Sequence, residues 1–258
     1  RSGELVGVEA LIRWQHPDRG LLAPGLFLPE VDNHPVGLAV GEWVIDTALT
    51  QVEAWQAQNL DLPVSVNIAA HHLQQPDFIA RLKALLAAHP SVRPDRLELE
   101  VLESSALEDV GTVSSIIAAC ADLGVSFALD DFGTGYSSLT YLKRLPARVL
   151  KIDQSFVRDM LSDPDDLAII DGVLGLSASF GRQVVAEGVE SVDHGVALLQ
   201  LGCELAQGYG IARPMPAERL IAWHKQWLPD PRWTQTPPWN RATPPVLPLR
   251  GSRAKTAL

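Results

Sequence analysis

Val125-Ser126-Phe127-Ala128-Leu129-Asp130-Asp131-Phe132-Gly133-Thr134-Gly135-Tyr136-Ser137-Ser138 opens as a short apolar strand, Val125 to Leu129. Two adjacent carboxylates follow, then a Gly- and Ser-rich turn that leads toward a helix. A strand that is apolar along its whole length suits a parallel sheet covered by helices on both faces. The same unit recurs on either side. Upstream, a helical pattern over Val110 to Leu123 ends at Gly124, a residue suited to the left-handed turn that closes a helix. Before it come a strand at Leu97 to Leu102, a helix at Asp77 to Ala88 behind Pro76, and a strand at Val64 to Ile68. Further upstream, Trp43, Val44, Ala48, Val52 and Trp55 repeat at helical spacing within Gly41 to Gln56, behind a strand at Val6 to Arg13. Downstream, strands at Val149 to Ile152 and Gln183 to Ala186 alternate with helices at Asp165 to Phe180 and Val192 to Leu201. A last helix covers Ala217 to Trp227.

Strand and helix in strict alternation predict an α/β fold with a parallel sheet and helical crossovers. At 258 residues, a closed (β/α)8 TIM-like barrel is the leading architecture and a doubly wound open sheet the alternative. No GxGxxG follows an early strand, which disfavours a dinucleotide-binding sheet. The domain is expected over residues 1–228. Beyond it, residues 229–258 are Pro-rich, carry Trp233 and Trp239 and show no periodicity, so they read as an extended or disordered tail.

Composition narrows the function. A net charge of −10 repels nucleic acid polymers. No apolar run approaches the roughly 18–20 residues of a membrane span, and Arg1-Ser2-Gly3-Glu4 has no signal-peptide pattern. The expected setting is the cytoplasm, either as a soluble protein or as the cytoplasmic part of a membrane-anchored regulator. Cys120 and Cys203 sit in apolar contexts without a partner at ligand spacing, and read as buried thiols. The seven histidines, among them the adjacent His71 and His72 and the turn residue His16, lack metal-ligand spacing too.

The chemistry lies at the strand ends. Nearly every candidate strand carries a charged or amide residue there: Glu9, Asn67, Glu100, Asp130 with Asp131, Lys151, Glu187 and, after Cys203 to Ala206, Gln207. In a (β/α) barrel these ends converge on one face. Singly, each reads as readily as a helix cap, a turn residue or a rim ion pair. Their spacing makes the set: 33 residues from Asn67 to Glu100, 30 to Asp130, then 21 to Lys151 and 36 to Glu187, about one βα unit each. Five carboxylates gathered in one place repel one another unless cations join them. All-oxygen ligands suit Mg²⁺ or Mn²⁺ rather than zinc, and adjacent aspartates can serve two neighbouring ions. The glycines after Asp131 fit a mobile active-site loop.

These residues also resemble a known family. Glu9-Ala10-Leu11, within Val-Glu-Ala-Leu-Ile-Arg-Trp, looks like the signature that names the EAL domain. The likeness runs on in order through Arg13-Trp14, Phe27-Leu28-Pro29, Gly41-Glu42-Trp43, Ser65-Val66-Asn67, Glu100 to Ser104 and Asp130 to Tyr136. It continues through Lys151-Ile152-Asp153, Ala186-Glu187-Gly188-Val189-Glu190, Gln207-Gly208-Tyr209 and Arg213-Pro214. Two segments depart from the family pattern: a strand usual before Glu4, with a Gln-Pro element, and the run Glu30 to Pro35.

The resemblance implies a barrel with an irregular first strand and hydrolysis of cyclic di-GMP to linear 5′-pGpG with two Mg²⁺ or Mn²⁺ ions. Ca²⁺ is expected to inhibit, because its larger, looser shell positions water poorly. The resemblance also implies that Glu9, Asn67, Glu100 and Asp130 hold one ion and Asp130, Asp131 and Glu187 the other. Glu9, Lys151 and Glu187 would be catalytic. Leu11, Arg13, Asp153 and Gln207 would meet substrate. Glu103, Gly133, Thr134 and Glu190 would support the ligands and the loop. It further implies a homodimer through the face near the loop from Asp131 to Ser138, fused to upstream sensory or diguanylate cyclase domains. The open alternatives are a catalytically silent cyclic di-GMP receptor and an unrelated barrel enzyme. The complete ligand set favours turnover.

Overall fold

The computed structural model describes residues 2–32, 34–135 and 139–237, the side chains of residues 139–141 aside. The last part of the loop from Asp131 to Ser138, and the tail from residue 238 with Trp239, lie outside the described residues. Nine strands are described: β1 (Val8–Ala10), β2 (Trp14–His16), β3 (Gly20–Leu22), β4 (Val64–Asn67), β5 (Leu97–Leu102), β6 (Ser126–Phe132), β7 (Val149–Ile152), β8 (Gln183–Ala186) and β9 (Leu205–Ala206). The helices are α1 (Leu28–Asp32), α2 (Val36–Gln56), α3 (Ala70–Leu73), α4 (Phe78–Ala88), α5 (Glu103–Glu108) and α6 (Val110–Asp122). After them come α7 (Leu139–Arg144), α8 (Gln154–Asp159), α9 (Pro164–Ser179), α10 (Val192–Leu201), α11 (Leu220–Gln226) and α12 (Pro231–Gln235).

The main sheet is parallel throughout, in the order β1-β4-β5-β6-β7-β8-β9. It curls as a barrel does, with helices outside. It differs from the eight-stranded expectation in two ways. Seven strands are described, and among the described residues no backbone ladder joins β1 to β9. The first strand is irregular, as expected. The run Val6 to Arg13, expected as one strand, pairs only over Val8–Ala10, after which the chain turns out into an antiparallel hairpin, β2 with β3. The core is aliphatic. Val66, Leu97, Leu99, Leu129, Leu150 and Ile152 from the strands are buried with Leu49, Val52, Val113, Ile117 and Ile170 from the helices. The two cysteines are buried as free thiols.

The reading of residues 229 onward as tail needs correcting for its first part. Pro231–Gln235 is a helix, capped by the Asp230 carboxylate on the Arg232 amide, and Trp233 is buried. Proline at the first helical turn, which the composition counted toward disorder, starts that helix.

Candidate active site

The strand ends bring the polar set together. Glu9 lies in β1, Asn67 ends β4, Glu100 lies in β5 and Lys151 in β7, and Glu187 and Gln207 directly follow β8 and β9. Asp130 and Asp131 do not follow their strand as expected. They lie inside β6, where the register with β7 shifts between Leu129 and Phe132. Such a bulge re-aims side chains. Asp131 has φ +53°, which non-glycine residues adopt mainly when, like Asp, they have a short polar side chain.

Lys151 is the hub. It is 2% exposed, and its Nζ lies 2.7 Å from Glu100 Oε2, 2.7 Å from Glu187 Oε1, 3.2 Å from Asp130 Oδ1 and 3.4 Å from Glu9 Oε2. Two amides complete the frame. Asn67 Nδ2 donates to Glu9 Oε1 at 2.8 Å, and Gln207 Nε2 donates to Glu9 Oε2 at 2.9 Å and Glu187 Oε1 at 2.8 Å. A single ammonium does not balance Glu9, Glu100, Asp130, Asp131 and Glu187. Burial, with the charges of Glu9 and Asp130 adding to it and Lys151 opposing, pushes the Glu100 carboxyl up to about 8. Burial likewise raises Glu187 to about 7, against Lys151. Burial, the Asp130 charge and a hydrogen bond shared with Asp153 raise Asp131 to about 6. Burial alone would lower the Lys151 ammonium, but the carboxylates, Glu100 foremost, raise it well above its ordinary value.

The cluster therefore needs cations or protons to be stable. Asp130, Asp131 and Glu187 each offer a ligand oxygen, all within 4.8 Å of one another. Asp130 Oδ1 is buried and accepts no well-formed hydrogen bond, its contact with Lys151 being an ion pair only. An unfilled buried acceptor among hard oxygen donors fits a divalent cation.

The flanking residues fall into two groups. Glu103, 2% exposed at the start of α5, accepts from the Gly133 amide at 3.0 Å and also from the Gly135 amide, so it anchors the loop behind Asp131. Burial raises its carboxyl despite those donors. Thr134 Oγ1 donates to the Asp131 carbonyl at 2.9 Å. Asp153 bonds the Asp131 carboxyl and accepts from the amide and hydroxyl of Ser155. Burial opposes its ionisation, but the Ser155 donors win and hold it low. Neither the Asp131–Asp153 contact nor the part of Ser155 has a sequence signal, since both depend on where the cap of α8 falls. The other residues make no hydrogen bond or ion pair with the cluster. Leu11 is 41% exposed, Arg13 is half-buried and donates to the Ile12 carbonyl, and Glu190 is exposed.

Comparison with known proteins places the chain as a whole. The family model described as EAL domain matches residues 1–214. The bifunctional diguanylate cyclase/cyclic di-GMP phosphodiesterase MucR of Pseudomonas aeruginosa is 41% identical over 222 residues, 86% of this chain and 32% of that protein. The cyclic di-GMP phosphodiesterase PdeR of Escherichia coli is 36% identical over 226 residues, 88% of this chain and 34% of that protein. The chain thus spans about a third of the length of these curated relatives. Among solved structures, the PaMucR phosphodiesterase in complex with c-di-GMP matches with TM-score 0.81 at 41% identity, over 85% of this chain and 89% of that one.

Proposed function

This chain belongs to the EAL domain family, and we propose that it hydrolyses cyclic di-GMP to linear 5′-pGpG in a reaction assisted by two divalent ions. The observation that carries this is the complete acidic set around Lys151, with Asp130, Asp131 and Glu187 close enough to share a cation. The activities named for MucR and PdeR, and the c-di-GMP held by the PaMucR structure, support the choice of substrate.

Water adds to one phosphorus, that P–O3′ bond breaks, the ribose oxygen leaves as a hydroxyl, and the phosphate stays on the 5′ side. Mg²⁺ or Mn²⁺, held by Glu9, Asn67, Glu100 and Asp130 on one side and by Asp130, Asp131 and Glu187 on the other, would polarise the phosphoryl oxygens and activate the water. The chain's own residues set the geometry. Lys151 fixes Glu100 and Glu187 at 2.7 Å and keeps positive charge beside them. Gln207 ties Glu187 to Glu9. Asp153 steadies Asp131, and Glu103 steadies the backbone behind it. Arg13, beside the exposed Leu11, is a cation available to a substrate phosphate.

Further parts of the proposal are a homodimer, an upstream sensory or cyclase domain and a cytoplasmic setting. The further domain is supported by the greater length of the relatives, of which this chain covers about a third. No described helix is long and apolar enough to cross a membrane. The test is incubation of the purified protein with cyclic di-GMP and Mg²⁺, Mn²⁺ or Ca²⁺, with product followed by chromatography. The expected result is pGpG with Mg²⁺ and Mn²⁺, and none with Ca²⁺, whose larger, looser shell positions water poorly. Binding without turnover in every metal overturns the enzyme reading in favour of a receptor.

A further inference from the structure

The site spans a seam. Its two edge strands, β1 and β9, share no backbone ladder among the described residues, yet Gln207 behind β9 reaches Glu9 in β1. Whatever fixes that seam sets the separation of Glu9 from Glu187. The segment after residue 214, where the family-model match ends, bonds chain on both sides of the seam. There Trp223 stacks on Trp227, with ring centroids 5.2 Å apart, and Trp227 lies 6.2 Å from Trp233.

The rings grip both sides of the seam. Trp227 Nε1 donates to the Gly3 carbonyl at 2.8 Å, on the chain that leads into β1. Trp233 Nε1 donates to the Val192 carbonyl at 3.0 Å, at the start of α10, the crossover between β8 and β9. Arg232 pairs with Asp193 at 2.8 Å beside it. The segment is closely fitted at both places. A Cβ at position 195 would come within 2.4 Å of Trp233 Nε1, and one at position 3, where φ is +75°, within 2.3 Å of Pro229 Cβ. Glycine at each place lets the segment seat.

We propose that Trp227 and Trp233 are positioning residues: they clasp the lead-in of β1 to α10, close the sheet without a ladder, and hold Glu9 within reach of Gln207 and Glu187. The inference rests on the hydrolytic, cation-dependent reading of that site. Its consequence is that a segment beyond the stretch matched by the family model tunes cation affinity.

The experiment compares wild type with Trp227→Ala, Trp227→Phe and Trp233→Phe. The phenylalanine variants keep an aromatic ring but lose the indole N–H and part of the ring area, so they remain informative where Trp227→Ala fails to fold. Three quantities are read: Mn²⁺ affinity by calorimetry, kcat and KM separately, and amide exchange over residues 5–10 and 205–208. In Trp227→Ala, Mn²⁺ affinity falls roughly ten-fold, as for other groups that orient metal ligands. Its kcat falls more than KM rises, and exchange quickens on both sides of the seam. Trp227→Phe falls between it and wild type. In a Gln207→Ala background the effect of Trp227→Ala on affinity shrinks, because the link it acts through is gone. A lowered melting temperature with Mn²⁺ affinity and seam exchange unchanged overturns the clasp. Wild type that binds Mn²⁺ without turnover overturns the hydrolytic reading alone, and wild type that binds no Mn²⁺ leaves the exchange pattern to decide the clasp.

Discussion

Asp131 shows how one residue reconciles backbone and charge. Its φ of +53° costs about 1 kcal/mol or more relative to the right-handed region. The bulge that forces this angle turns its carboxyl toward Asp130 and Asp153. Asp153, held ionised by Ser155, leaves Asp131 to take the shared proton in the absence of a cation. A cation removes that conflict, which is why the residue is expected to act as a ligand. Asp131→Asn keeps the tolerance for a left-handed backbone and a hydrogen bond to Asp153, but loses the charge. It is expected to leave the melting temperature of the metal-free protein unchanged or higher, to cut the calorimetric Mn²⁺ stoichiometry from two to one, and to abolish turnover. Two ions bound with full turnover would remove Asp131 from the ligand set.

Among the elements, α5 has the clearest consequence. Its first residue, Glu103, would ordinarily face the amides of its own first turn. Instead it crosses to the Gly133 and Gly135 amides, so α5 acts as a bracket on the end of β6. Glu103→Ala removes a desolvated carboxylate and its two acceptor contacts together. Global stability should change little, whereas amide exchange over residues 131–135 should quicken and Mn²⁺ affinity drop by roughly ten-fold. Unchanged exchange in that loop would remove Glu103 as its anchor. The sequence exposed much of this layout. Apolar runs bounded by polar ends located β4, β5, β7 and β8, and the convergence of Asn67, Glu100, Lys151 and Glu187 followed from the barrel rule. It did not expose β9, whose two residues are too short for any period, nor the bulge, since extending β6 through Asp130 and Asp131 runs against the low strand propensity of Asp. It also hid α12, because its stability comes from Trp233 packing on α10 rather than from its own composition.

Across the whole molecule, the acidic cluster links folding to pH. The surface pairs Asp61 with Arg96 and Glu42 with Arg81 lower their carboxyls, through hydrogen bonds to the arginines before all else, so their contribution is lost only as pH falls below the ordinary carboxylate range. The site works in the opposite sense. Glu100 at about 8, Glu187 at about 7 and Asp131 at about 6 all lie above their unfolded values of roughly 4. Between those limits the folded chain binds more protons than the unfolded one, so stability falls as pH rises. The term is complete below about pH 4 and is lost progressively up to about pH 8, while Lys151, raised further, stays charged throughout. Divalent ions compete for the same oxygens and bind only the folded site, adding stability that grows with concentration over Kd. That binding strengthens as the carboxyls deprotonate. Melting curves in a chelator should therefore move to lower temperature between about pH 5 and pH 8.5, and saturating Mn²⁺ should flatten or reverse the trend. Calorimetric scans at both pH values, with and without the ion, measure the four midpoints. Parallel slopes in the two conditions would mean that the cluster holds no cation, and would leave Lys151 as its sole counter-charge.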